Sequence, residues 1–212
     1  MKNSLLKGMI FILSIMLLAG CGRKEEEPEP EPLMLEDHAV PVTIGGEEIF
    51  VGTTTLQPLL DAGFPVSLAE WDGEHVTEHE IDPNEILTAG SALTEISFWL
   101  TDSAFVRLSV EAGNADIRVG DAVITRLALH LSHQSDTLPD DLLVSGVPVN
   151  KLSREKAGDL FPDYEQADLS VTQHGEDYRC TLMFSPRTHV LYQFTLMKAE
   201  KEESILPPST VW

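Results

Sequence analysis

The chain has 212 residues, with 35 acidic against 14 basic side chains and a formal net charge of −21. This length provides one domain, or two small ones, with a core of its own, while the charge excludes nucleic acid and anionic lipid headgroups as general ligands, because like charges repel on approach. Only Cys21 and Cys180 carry thiols, so a scaffold stapled by several disulfides is excluded as well.

The N-terminus opens with Lys2 and Lys7 and no acidic residue, followed by an uncharged apolar run over residues 8–18. That run is shorter than the about 20 residues a membrane-spanning helix needs. A basic start with a short apolar core predicts an export signal over residues 1–20. Directly after the apolar core stand Leu18, Ala19, Gly20 and Cys21. This tetrad resembles the lipobox of bacterial lipoproteins. The resemblance implies cleavage before Cys21, diacylglycerol on its sulfur, and a lipid-anchored location facing outside the cytoplasm with the bilayer as partner. Two or more acyl chains anchor stably where one does not, each buried methylene contributing about 0.8 kcal/mol. Residues 21–37 predict a tether: Glu and Pro alternate from Glu27 to Pro32, so no apolar face forms and an extended polyproline II path is favoured.

Structure is predicted to begin near His38. Gly45-Gly46 between the apolar stretches 40–44 and 48–51 predicts a hairpin. Thr54 or Thr55 then caps a short helix that accepts Pro58 in its first turn and stops at Gly63. Residues 70–82 are the densest ligand-like stretch, with Glu70, Glu78, Glu80 and two histidines. On a helix His75 and His79 would face one way with Glu78 beside them, a divalent-metal spacing. Pro83 and the strand-like character of residues 77–82 favour a solvated acidic loop instead. Residues 93–100, 104–110 and 115–131, the last broken near Gly120, alternate with period two and predict half-buried antiparallel strands. Because Phe98 and Trp99 are neighbours, one of them faces away from the main core. Exposed aromatics on a sheet suit a peptide or sugar surface, while packing between two layers accounts for the same residues.

From residue 142 the plan recurs: apolar residues around Gly146, a helix over 154–160 capped by Ser153, then strands over 167–173, 178–184 and 189–197. The segment 45–63 matches 145–161 in plan. The predicted class is α+β, antiparallel-sheet-rich, with two similar repeats, each a short helix packed on a β-meander, over 38–132 and 133–203; a tail of residues 204–212 ends in Trp212. The order is similar to secreted bacterial domains built as tandem helix-plus-sheet repeats, such as the β-lactamase inhibitor protein fold, a resemblance that implies no function.

Chemical motifs are sparse. Ser153 and Lys156 satisfy the Ser-x-x-Lys spacing of serine β-lactamases, but neither Ser-Asp-Asn nor Lys-Thr-Gly occurs in the chain, and Ser153 has an ordinary task as a helix cap. Cys180 would share a strand face with Tyr178, Leu182 and Phe184, which predicts a buried, inert thiol. No phosphate loop, nucleophile elbow or dinucleotide fingerprint is present, and no cofactor is expected. The expected function is that of a membrane-anchored, non-catalytic binding or interaction module with a protein or cell-wall partner. The alternatives are a hydrolase with a dispersed site, and capture of a cation or small solute by the acidic 70–82 segment.

Overall fold

The computed structural model describes residues 40–71, 75–131, 138–160, 165–175 and 177–199. The Leu18-Ala19-Gly20-Cys21 tetrad, residues 21–37 of the expected tether and Trp212 lie outside them. The first hairpin pairs β1 (Val42–Ile44) with β2 (Glu47–Ile49). Gly45 and Gly46 both adopt positive φ, +59° and +87°, the backbone that a tight two-residue hairpin requires. A methyl group at Gly45 would also lie 2.6 Å from the Phe64 ring. Helix α1 (Gln57–Asp61) follows, with Pro58 in its first turn as the sequence requires. Its predicted threonine cap does not form. The N-cap is Leu56 without a side-chain bond, Thr54 Oγ1 accepts the Phe50 N–H at 2.9 Å, and Thr55 bridges to Val123.

Next come β3 (Ser67–Trp71), β4 (Val76–Glu80), β5 (Ile86–Leu87), β6 (Ala92–Thr101) and β7 (Ala104–Glu111). The predicted strand over 115–131 is cut by a 3-10 turn at Val119–Asp121 into β8 (Ile117–Arg118) and β9 (Val123–Leu131). The second half begins with the β10 (Leu143–Val144) and β11 (Val147–Pro148) hairpin, where Ser145 and Gly146 take positive φ in their turn. Helix α2 (Arg154–Leu160) is capped as predicted, the Lys156 N–H reaching Ser153 Oγ at 3.3 Å. Strands β12 (Glu165–Gln166), β13 (Ser170–His174), β14 (Tyr178–Phe184) and β15 (Leu191–Lys198) complete the chain.

These strands build two principal sheets. A four-stranded sheet runs β11-β10-β1-β2, and a nine-stranded antiparallel sheet runs β12-β13-β14-β15-β9-β7-β6-β3-β4, with β5 and β8 as a separate ribbon. The α+β class with two helix-plus-meander repeats is therefore corrected. Strand makes up 51% and helix 12% of the structure, and α1 and α2, the only α-helices among the described residues, have five and seven residues. The physical reason is the pairing of β9 with β15 and of β1 with β10, which joins both halves into shared sheets. Neither meander buries a face against its own helix alone.

Period-two alternation places one side of each long strand in a single core. Ile96 and Phe98 of β6, Val106 and Leu108 of β7, Leu127 and Leu129 of β9, Phe194 and Leu196 of β15, and Cys180, Leu182 and Phe184 of β14 are at most 2% exposed. They join Val42, Ile44 and Val144 of the small sheet, Leu59 of α1 and Leu160 of α2 in one hydrophobic cluster. Fully burying a side chain such as Phe194 contributes about 3 kcal/mol.

Candidate functional site

The metal spacing on residues 75–79 is not realised. Those residues lead into and form β4, an edge strand exposed at all five positions, where Glu78 and His79 point to opposite sides of the sheet. His79 Nε2 instead lies 3.6 Å from Glu70 Oε2 across the β3–β4 pair. No group of three His, Cys, Asp or Glu side chains converges on a metal position among the described residues. Leu68, Glu70 and His79 do line a cleft of about 280 Å³ together with Ile86, Leu87 and Val119. Ser153 Oγ serves as the α2 cap and Lys156 is exposed. The Cys180 thiol is fully buried, and burial pushes its pKa well up, so it stays protonated and unreactive at neutral pH.

The feature that stands out is the outer face of the nine-stranded sheet. Cross-strand register lines up Trp99 of β6, Phe105 of β7, His130 of β9, Gln193 of β15 and Met183 of β14 in one row. Trp99 is 59% exposed, whereas its neighbour Phe98 is in the core. Adjacent apolar residues on a strand cannot both face inward, and here the larger one faces out.

Trp99 is held rather than loose. Its ring lies 4.9 Å from that of Phe105, tilted by 52°. Arg107 stands over the other part of the same cluster, its guanidinium carbon 5.9 Å from the Phe105 centroid. Arg107 is in turn paired with Glu95 at 3.2 Å. Glu95 reaches it because β6 bulges between Leu93 and Ile96, where Glu95 adopts φ +64°. A left-handed backbone costs a non-glycine residue roughly 1–2 kcal/mol, and bulges commonly re-aim a side chain at a working surface. The line Glu95–Arg107–Phe105–Trp99 thus fixes an exposed indole on a rigid sheet.

His130 packs against Phe105 from the other side, with ring centroids 6.3 Å apart. Partial burial, then the nearby Arg107 and Arg126 charges, lower its pKa below the ordinary histidine value, so the ring is neutral at pH 7. A neutral imidazole retains both a donor and an acceptor. Beyond it the face continues with the hydroxyls of Thr195, Thr181 and Thr172, one per strand in successive register.

Sequence reading reached Trp99 but left its direction open, and it missed Phe105, Arg107 and His130 as its companions. Only the strand register brings them together. Trp71 ends β3. No family model matches the chain, and no curated protein or solved structure matches it either.

Proposed function

We propose that the protein is an extracytoplasmic, lipid-anchored, non-catalytic binding module that presents the outer face of its nine-stranded sheet to cell-wall glycan. The observation that carries this reading is the exposed Trp99, braced on Phe105 on the sheet face opposite Phe98 and the core. A rigid indole offers a flat apolar surface for a sugar ring at low entropic cost, and its N–H keeps a polar handle. Threonine hydroxyls and Gln193 alongside it supply hydrogen bonds to sugar hydroxyls. Anchorage rests on the Leu18-Ala19-Gly20-Cys21 tetrad.

Two measurements test the reading. The full chain should co-sediment with purified peptidoglycan sacculi, and Trp99→Ala should abolish most of that binding while leaving the fold intact by circular dichroism. Failure of the native chain to sediment, or equal sedimentation of the variant, overturns the assignment of this surface. For the anchor, Cys21→Ala should eliminate metabolic labelling by an alkynyl fatty acid, and an undiminished label refutes lipidation at that residue.

A further inference from the structure

We infer that the outer face is selective for a glycan bearing isolated carboxylates, held by Arg126 and Arg179; this rests on the binding-module reading above and names the ligand chemistry of the same surface. In a chain with 35 acidic side chains against 14 basic ones, cations are expected to find carboxylate partners readily. On this face stand three of the six described arginines, Arg107, Arg126 and Arg179.

Arg107 is committed to Glu95. Arg126 and Arg179 are exposed and form no ion pair among the described residues. His174, beside Arg179 in register, has its own partner in Glu165 at 3.9 Å. Arg126 of β9 and Arg179 of β14 flank Met197 of β15 in a single cross-strand row. Two strand spacings of about 4.8 Å separate their backbones by roughly 10 Å. Both long side chains can therefore reach an anion lying over Met197. A guanidinium fork matches a carboxylate in two parallel hydrogen bonds, a geometry that a lone ammonium cannot offer.

The whole-molecule charge narrows the ligand. A net charge of −21 repels a dense polyanion at long range. Local guanidinium groups prevail only within about a Debye length, roughly 8 Å at physiological salt. A polymer with sparse carboxylates satisfies both conditions, and a densely charged one does not. A glycan fits better than an acidic peptide because the remainder of the face offers a stacked indole and a row of hydroxyls.

The test uses the full chain and titration calorimetry with three probes: a hyaluronan hexasaccharide, in which glucuronate alternates with N-acetylglucosamine; neutral chitohexaose; and hexaglutamate. The hyaluronan probe should bind more tightly than chitohexaose. Joint Arg126→Gln and Arg179→Gln substitution should weaken it about tenfold or more and flatten its salt dependence, with chitohexaose unaffected. Arg179→Lys alone should fall between, since charge remains and the fork is lost. Equal affinity for the two sugars, or insensitivity to the double substitution, overturns the inference. Tighter binding of hexaglutamate replaces the glycan with an acidic peptide. If chitohexaose binds in a Trp99-dependent way while the arginines are without effect, the binding-module reading stands and only the carboxylate selectivity falls.

Discussion

On the inner face of the nine-stranded sheet Phe98, Leu108, Leu127, Phe194 and Leu182 meet in a dry cluster. One residue along the same strands Trp99, Arg107, Arg126, Gln193 and Thr181 face outward. The two sets belong to the same antiparallel ladder, yet one is apolar throughout and the other mixes aromatic, cationic and hydroxyl groups. Stability and surface chemistry are therefore carried by alternate residues of a single ladder, and each can be altered without rewriting the other.

The sharpest way to separate the faces is to truncate one ring from each. Phe194→Ala removes a fully buried ring and should lower unfolding free energy by about 3–5 kcal/mol, read from urea denaturation. Trp99→Ala loses the contact with Phe105 but little burial, so its stability cost should be about 1 kcal/mol even as glycan binding disappears. Equal costs would mean that the outer face is structural and would break the comparison.

A smaller effect probes His130, which sits on the outer face with its folded pKa below the unfolded value of about 6.5. As pH falls, the unfolded chain takes up this proton first. The contribution of His130 is thus fully present above about pH 6.5 and is lost as pH drops through that value toward the folded pKa. His130→Gln should remove this part of the decline in melting temperature between pH 7.5 and 5, and an unchanged pH profile would show that neither partial burial nor the Arg107 and Arg126 charges lower the ring's pKa.

Much of the secondary structure was legible because burial on one side leaves a period-two trace, as in Val106-Leu108-Val110 and Cys180-Leu182-Phe184. The glycine turns at Gly45-Gly46 and Gly146 were legible for an equally local reason. Strand β4 was not. All five of its residues are exposed, so no inward apolar row marks it. Strand β3 escaped because Leu68 is only partly buried among short neighbours. The pairing of Val42 with Val144 and of His130 with Gln193 was beyond reach, since partners distant in sequence leave no local signal. The fold class was misread for that reason. The candidate surface was hidden in the same way: its residues come from six strands, and only register assembles them.

That non-local pairing also sets an order of events. The last described strand, β15, lies between β14 and β9 in the interior of the large sheet, and the first, β1, waits for β10. The small sheet cannot close before the chain has been made to about Pro148, nor the large one before about Lys198. Sheets assembled from such distant partners fold slowly, on the millisecond-to-second scale typical of high contact order. During synthesis the core consequently stays unfinished until β15 has been made, because that strand fills the interior position between β14 and β9.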